Sequence, residues 1–566
     1  MLRQKLQAAL FVPGERKSDR FFRWFPWIWL VAAYCITMGV LCVYGRSYID
    51  SDMASEMILS QILNEEGGLL TTQWWYSTEL QVFCLQIFYR IGLLIFPHHW
   101  YAAGMLGQAL FMLALIFSYI YMARGLGLRS NGAWGAAALA CPFGAWYLWY
   151  GPFGGYYLPY MILLLLGFGV MLRLMKPAGK HRRVAQWLFL LLTSAASGLN
   201  GLKGLMGFFV PMMLAALVAL GLQWHNFPER CPREEKRLTG AAILALLIAG
   251  GAYVFNSVYL TATHSFADYN DRVWNTLNFT ALVNKWMDFL TLFGYPVDSF
   301  LGGKVTLFSL NGILASFSVL TAGAIVFSLV RLLFRWRELN PVHRVAPLLL
   351  ASVCLVQGIV FAGTGDVQSA NASYWLTSMP LVFPVLQLEG ETEHFRVCFT
   401  RRMAAMAFCI CIVATSISST LQFFQQGYRV NPHLEEVCDW LVEQGYTQGY
   451  ATFWNGNVLT EWSDGQIEVW VPTNFNTMEP SRWLQKTSHA QPPEGKIFLL
   501  TTMDELGMMG LTDLYWWSTV VYEDDEQEIT DRTKRYVVME YSSYDDMMAA
   551  IQGAQSWAEE GTQREA

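Results

Sequence analysis

The sequence predicts an α-helical polytopic membrane protein of about eleven transmembrane helices with a C-terminal extracytoplasmic α/β domain. Hydrophobic residues make up 54% and charged residues 14% of the 566 positions, whereas about 25% of the residues of a soluble domain are charged. Apolar stretches recur through residues 1–423, and many reach the roughly 17 to 25 residues that cross a bilayer. An acidic segment follows at residues 424–566, so we divide the chain at that point.

Eleven apolar stretches are interpreted as membrane spans. They lie at residues 26–45, 101–122, 131–149, 156–175, 184–199, 204–222, 239–260, 305–333, 345–362, 374–388 and 403–419. An odd number of spans places the two ends of the chain on opposite sides of the membrane. The first stretch follows a polar leader and lacks a small-residue cleavage pattern, so it is read as a retained anchor.

Lys and Arg are distributed unequally between alternate loops. The segments on the side of the N-terminus carry 24 of them, and the opposite loops before residue 424 carry six. Cytoplasmic loops are enriched in Lys and Arg. We therefore predict a multi-pass protein of the plasma membrane, with a cytoplasmic N-terminus and with residues 424–566 outside.

The C-terminal segment is predicted to fold as an acidic α/β domain. It holds 24 Asp or Glu and eight Lys or Arg, a net charge of −16, and without a basic patch it is not expected to bind nucleic acid. About 140 residues are enough for an independent core. Helices are predicted at Leu434–Gln444 and Asn457–Ser463, and strands at Gly449–Trp454, Ile467–Val471, Lys496–Thr501, Thr519–Tyr522 and Arg535–Met539.

Carboxylates in the first outer loop, residues 46–100, are the main candidates for chemistry. Asp50, Asp52 and Glu56 lie just after the first span, and Glu79 follows. Carboxylates at a membrane surface are costly to desolvate and are therefore typical of ion handling or catalysis. A partly desolvated Asp50 or Asp52 would have a raised pKa and could serve as a general base toward an acceptor hydroxyl.

The other two carboxylates are assigned a binding role. Glu79 and Glu56 would hold the acceptor or a divalent cation, the one cofactor that we consider. The alternative is structural: Asp50 or Asp52 caps an amphipathic helix, and Glu56 is a solvated neighbour of Asp52.

The acidic loop, about a dozen spans and the soluble outer C-terminal domain together resemble the C-type glycosyltransferase (GT-C) superfamily. Its members include bacterial protein O-mannosyltransferases and lipid A aminoarabinose transferases. The resemblance implies inverting transfer of a sugar from a polyprenyl-phosphate donor to a glycan, lipid or protein of the cell envelope. It also implies Asp50 or Asp52 as the catalytic Asp and Glu79 as the second acidic site. The family's common Asp-Glu pair is replaced here by Asp50-Ser-Asp52, so which Asp is equivalent stays open.

A transporter or flippase for a lipid-linked or polar substrate is the alternative from another functional class. Charges buried within spans would favour transport, and this chain keeps nearly all of its charges in loops.

Basic residues are scarce on the outer side, so the candidates for binding a donor phosphate are few. Lys203 lies in the glycine-rich segment 198–204, and Arg272 lies in the loop 261–304 with Lys285 and Lys304 as further candidates. The alternative for Lys203 is an interfacial lysine whose ammonium reaches toward water.

Aromatic residues crowd the same side of the membrane. Trp74, Trp75 and Tyr76 precede Glu79 and are candidates for stacking on a sugar ring. The alternative is an ordinary aromatic belt at the membrane interface.

Overall fold

The computed structural model describes residues 17–77, 80–142, 144–266, 283, 287–295, 306–364, 372–392, 416–417, 420–421, 431, 433–522 and 536–565. The helices of the N-terminal part are α1 (Lys17–Tyr44), α2 (Ser51–Glu66), α3 (Gln86–Ile95), α4 (Trp100–Leu126), α5 (Ala133–Ala140), α6 (Leu158–Met175), α7 (Lys180–Gly198), α8 (Val210–Asn226), α9 (Arg233–Phe255), α10 (Leu310–Phe334), α11 (Pro341–Thr364) and α12 (Met379–Thr392). Two short strands, β1 (Trp74–Tyr76) and β2 (Ser265–Phe266), lie in the same part.

Seven helical segments within the described ranges are long and apolar enough to cross a membrane. They are Trp24–Tyr44, Trp100–Leu126, Leu158–Met175, Leu202–Asn226, Arg233–Thr263, Asn311–Phe334 and Pro341–Phe361. The polytopic helical architecture is thus confirmed, and the count of eleven spans stays a prediction. The predicted span 403–419 lies almost entirely outside the described residues.

The predicted span at residues 131–149 is wrong as a single helix. Helix α5 ends at Ala140, and a separate short helix begins at Ala145. Pro142 lies in the break, where its missing N–H cannot continue a helical hydrogen-bond ladder. The chain then continues through a π-helical turn at Trp149–Phe153 into α6.

Helix α3 is ten residues long and therefore too short to cross a bilayer. It packs closely on α4: a Cβ atom added to Gly92 would lie 2.0 Å from the carbonyl oxygen of Ala103. A glycine is required at that contact because any side chain would collide with backbone. This contact brings the loop that carries the acidic residues against the membrane helices.

The C-terminal part is an α/β domain, as the sequence predicts. Its elements are α13 (Leu434–Glu443), β3 (Gln448–Tyr450), α14 (Phe453–Trp462), β4 (Glu468–Trp470), β5 (Pro472–Asn474), β6 (Glu479–Pro480), β7 (Gln485–Lys486), β8 (Ile497–Thr502), α15 (Met503–Met509), β9 (Thr519–Tyr522), β10 (Tyr536–Tyr541) and α16 (Tyr544–Glu565). The main sheet has the order β4-β3-β8-β10-β9, with β3 parallel to both of its neighbours and β10 antiparallel to both of its neighbours. The boundary at residue 424 stays a prediction because it falls outside the described ranges.

Most predicted elements of this domain are observed within one or two residues. The predicted strand 449–454 is wrong at its end: the strand stops at Tyr450, and Phe453 already begins α14. The helix also starts four residues before the predicted one, because Thr452 has the extended backbone of an N-cap residue.

The C-terminal domain packs directly on the first loop. Helix α14 lies against α2, and the Ser51 hydroxyl donates to the carbonyl of Phe453. The Trp462 indole donates to the Arg46 carbonyl at 3.2 Å, and an Arg46 guanidinium nitrogen donates to the Trp462 carbonyl at the same distance. These contacts enclose the loop between the membrane helices and the C-terminal domain.

Candidate functional site

The acidic segment begins a helix, and its first carboxylate is the helix cap. Asp50 is the N-cap residue of α2, and its Oδ1 accepts a hydrogen bond of 2.8 Å from the Met53 backbone N–H. The Tyr156 hydroxyl donates to the same oxygen at 3.1 Å. The structural interpretation of Asp50 as a helix cap is therefore correct.

Asp52 and Glu56 lie one turn apart on α2 and line a common cavity. The cavity has a volume of about 250 Å³ and also takes in Lys203. Small-molecule pockets begin at roughly 300 Å³, so this volume is close to the lower end of that range. Asp50 is not among the lining residues. The structure thus brings two predicted carboxylates and one predicted cation together at the cavity, whereas Asp50 caps the helix and does not line the cavity.

Enclosure changes the acidity of these carboxylates. Burial raises the pKa of Asp52 above its usual range, and the nearby charges of Asp50 and Glu56 raise it further. Burial also raises the pKa of Glu56 to about 7, although a hydrogen bond from the Cys84 thiol opposes the rise. Carboxyl groups with pKa values near neutrality are suited to accept a proton during a reaction. Glu56 is half-buried and lines the cavity, so it is not simply a solvated neighbour of Asp52.

Lys203 lies where the polypeptide enters a membrane helix. Gly201, with φ +93° and ψ −165°, immediately precedes the turn that carries Lys203, and the helix continues from there to Asn226. That backbone conformation is open to glycine and strained for other residues. The ammonium lies 5.6 Å from the ring centroid of Tyr157 and 6.0 Å from that of Tyr160. Two aromatic faces therefore help to hold its charge at the cavity.

Two buried asparagines fix the loop that follows the acidic helix. The Asn200 side-chain oxygen accepts hydrogen bonds from the backbone N–H groups of Val82 and Phe83 at 3.1 and 2.8 Å, and its amide donates to the Phe83 carbonyl at 2.7 Å. The Asn256 amide donates to the Leu80 carbonyl at 2.8 Å. These bonds hold the segment that supplies Gln81, Cys84 and Gln86 to the cavity wall.

The predicted stacking aromatics form strand β1, which is buried between two other strands. Trp74 and Tyr76 line the cavity, whereas Trp75 lies on the opposite face of the strand and is not among the lining residues. The Tyr76 hydroxyl accepts a hydrogen bond of 3.0 Å from the Thr71 N–H. A sugar-stacking role for Trp74, Trp75 or Tyr76 stays a prediction.

The C-terminal domain supplies part of the cavity wall through Trp483 and Leu484. Strand β7 follows these residues and pairs antiparallel with β1, with Lys486 opposite Trp74 and Gln485 opposite Trp75. The cavity is therefore built jointly by the first loop, the membrane helices and the C-terminal domain.

Four of the predicted site residues, one in the first loop and three in the loop 261–304, lie outside the described ranges. They are Glu79, Arg272, Lys285 and Lys304. Among the residues that are described, no group of three or more His, Cys, Asp and Glu side chains is arranged to hold a metal ion. Asp52 and Glu56 are the carboxylates that line the cavity among the described residues, and a role for a divalent cation there stays a prediction.

Four residues at or near the cavity were not predicted from the sequence: Asn200, Cys84, Trp483 and Glu461. Asn200 lies within the glycine-rich segment that was singled out for Lys203, so a signal for it existed. Glu461 lies on α14 and is 5% exposed. For Trp483 the sequence offers no signal, since only the tertiary fold brings it to the acidic helix.

Comparisons with known proteins agree with this architecture at the level of the fold. The chain is similar to the crystal structure of ArnT from Cupriavidus metallidurans bound to undecaprenyl phosphate, with a TM-score of 0.50 and 12% identity over 90% of this chain and 98% of that chain. A single-particle cryo-EM structure of the arabinofuranosyltransferase AftD from Mycobacteria matches at 14% identity and a TM-score of 0.37, over 92% of this chain and 40% of that chain. No protein-family model matches the chain, and no curated protein matches it. The match to ArnT, which covers 90% of this chain and 98% of that chain, shows that this protein has the helical fold of that structure.

Proposed function

We propose that the protein is an inverting membrane glycosyltransferase that moves a sugar from a polyprenyl-phosphate donor to a cell-envelope acceptor. The observation that carries the proposal is that Asp52, Glu56 and Lys203 line one cavity on a GT-C fold. The ArnT structure holds undecaprenyl phosphate, which supports a donor of that class. Such a displacement needs a base to accept the hydroxyl proton and a cation to bind the leaving phosphate, and both kinds of group line this cavity.

In the proposed reaction the acceptor hydroxyl oxygen attacks the anomeric carbon of the donor sugar. The bond between that carbon and the phosphate oxygen breaks, the electron pair leaves with the prenyl phosphate, and the hydroxyl proton passes to Asp52. Asp52 is favoured over Asp50 because it lines the cavity, while Asp50 caps the helix. The raised pKa of Asp52 makes it a stronger proton acceptor than an ordinary aspartate.

Lys203 is proposed to bind the donor phosphate. Negative charge builds on that group as the sugar leaves, and preorganised cations aimed at developing charge usually contribute strongly to catalysis. A lipid-linked donor keeps its chain in the bilayer, so its phosphate is held near a helix end such as the one at Lys203. Glu56 is proposed to bind the acceptor, and Glu79 and Arg272 keep the roles predicted for them.

A transfer assay tests the proposal. Membranes that contain the full-length protein would be incubated with radiolabelled polyprenyl-phosphate sugars. Host membranes without this protein would be added to supply the acceptor. Label should appear in a cell-envelope product only when the protein is present. Movement of intact labelled lipid across the bilayer without a new glycosidic product would instead support a transporter or flippase.

The orientation of the protein is a separate proposal. From the basic-residue asymmetry we propose that the N-terminus is cytoplasmic and that the cavity and the C-terminal domain face outward at the plasma membrane. Reporter fusions at residue 430 and in the loop 176–183 should report opposite sides. Reporters on the same side would contradict the topology and place the cavity in the wrong compartment.

A further inference from the structure

The part of the cavity wall that comes from the C-terminal domain is a backbone turn in an unusual conformation. Leu484 has φ +49°, in the left-handed region, and is 9% exposed. This conformation brings the Cβ atom of a non-glycine residue too close to its own backbone and costs free energy. Residues that keep such strain are frequently found at ligand sites, where the surrounding structure holds them in place.

Contacts on both sides of the turn hold it against the first loop. Strand β7 begins at Gln485 and pairs with β1, and the Thr487 N–H donates to the Gln73 carbonyl at 2.9 Å. The Asn457 amide donates to the Leu484 carbonyl at 3.1 Å. The position of Trp483, which precedes Leu484, is therefore set by the seam between the two parts of the chain.

The same asparagine connects the turn with the proposed base. Besides Leu484, the Asn457 amide contacts the carbonyl of Ser51 at 3.5 Å, and Ser51 directly precedes Asp52. The turn that follows Trp483 is thus bonded to the same asparagine as the backbone beside Asp52, the group that would take the acceptor's proton. The cation at Lys203 belongs to a membrane helix, the part of the protein that a lipid-linked donor must approach.

We propose that Trp483 contacts the acceptor and that the acceptor is a carbohydrate, so that the C-terminal domain selects the substrate to be glycosylated. This inference rests on the proposed glycosyltransferase function. A sugar ring presents C–H groups on one face and hydroxyls at its edge. An indole face matches the first, and the carboxylates of Asp52 and Glu56 accept hydrogen bonds from the second. The ring is carried by a glycan or by a glycolipid headgroup.

The test measures how the transfer rate depends on the amounts of acceptor and donor. In the transfer assay described above, Trp483→Ala should raise the apparent KM for acceptor membranes by about tenfold, since loss of an aromatic contact costs on that order. The KM for the labelled donor and the rate at saturating acceptor should stay within about twofold. Trp483→Phe, which keeps an aromatic face, should restore most of the acceptor affinity. Trp516→Ala is the matched control, because Trp516 is 79% exposed on the same domain.

A second pair of variants tests the turn itself. Leu484→Gly keeps the left-handed conformation but loses a side chain that lines the cavity, so it should raise the acceptor KM less than Leu484→Val does. Leu484→Val is β-branched and poorly tolerated at positive φ, so it should raise the acceptor KM as Trp483→Ala does. Equal thermal stability of the two variants would separate this effect from unfolding.

Three outcomes would overturn the inference. One is a rise in the donor KM with an unchanged acceptor KM in Trp483→Ala, and another is no change in either constant. The third is label that protease treatment releases from the product, because the acceptor would then be a protein. Label that is extracted by organic solvent identifies a glycolipid, and label that resists both treatments identifies a glycan. Absence of any transfer by the wild-type protein would contradict the proposed function itself.

Discussion

The two walls of the cavity carry different side chains and are held in place by different means. On the first loop, Asp52 and Glu56 are one turn apart on a helix whose N-terminus is capped by Asp50. On the C-terminal domain, Trp483 is held by a left-handed turn and by two-residue pairing of β7 with β1. The first arrangement is local in sequence, and the second exists only because residues more than 400 positions apart meet. Substitutions should therefore affect the chemistry on one wall and the choice of acceptor on the other.

The largest effect is expected at the acidic wall. Asp52→Asn keeps the shape of the side chain but removes its basicity, and loss of a general base typically costs about 10²- to 10⁴-fold in rate. The rate of sugar transfer at equal membrane levels of protein measures this loss. Asp50→Asn is the matched variant: it retains a side-chain oxygen that can cap α2, so a smaller loss is expected. A larger loss for Asp50→Asn than for Asp52→Asn would reverse the assignment of the base.

The next effect is expected at the cation. Lys203→Gln removes the charge proposed to face the leaving phosphate, and we expect a loss of about 10²-fold in the transfer rate. Lys203→Arg keeps the charge and should recover part of it. Lys176→Gln is a control on a lysine that binds the Gly125 carbonyl instead of lining the cavity. Unchanged donor affinity and rate in Lys203→Gln would show that the phosphate is bound elsewhere, with Arg272 the next residue to test.

The comparison of the walls also shows what the sequence could predict. Asp50, Asp52 and Glu56 are recognisable because capping residues and carboxylates have their effect within one or two helical turns, and Lys203 because so few cations accompany it. The larger elements of the C-terminal sheet were predicted from alternating apolar residues. The pairing of β1 with β7 was not, because two- and three-residue strands have no periodic signal. Trp483 lies two residues before β7, and its place in the cavity wall follows from tertiary contacts alone.

The pH dependence of transfer should report the enclosure of the acidic wall. Asp52 accepts a proton only when it is ionised, so the rate should fall as the pH drops through its pKa. Burial and the neighbouring Asp50 and Glu56 raise that pKa, so the acid limb should lie near neutral pH and not near the ordinary value of about 4 for aspartate. Profiles of kcat/KM against pH, measured at saturating donor, show the limb. An acid limb near pH 4 would mean that the base is a solvated carboxylate and would contradict the assignment of Asp52.

The smallest effect is expected at the seam between the walls, where Glu461 of α14 lies. Its Oε2 atom is buried without a hydrogen-bond partner among the described atoms. Burial and then the charges of Asp50 and Asp464 raise its pKa to about 8, although Arg46 opposes the rise. The folded protein therefore holds a proton that the unfolded chain releases above its ordinary pKa of about 4.3. The contribution of Glu461 to folding stability should therefore decline as the pH rises from about 4.3 to about 8. Above pH 8 this contribution should change little.

Glu461→Gln places a neutral side chain of similar size at the seam and removes this proton dependence. The variant and the wild-type protein should have similar thermal midpoints in mildly acidic buffer, where Glu461 is protonated. In alkaline buffer the variant should melt a few degrees higher, because no charge has to be buried beside Asp50. Glu436→Gln, at an exposed position of α13, should show no such difference at any pH. Glu461→Gln could instead melt at a lower temperature than the wild type at every pH. The Glu461 carboxylate would then be a stabilising partner at the seam. In that case its charge, and not the neutral contacts of Asn457 and β7, would join the two walls.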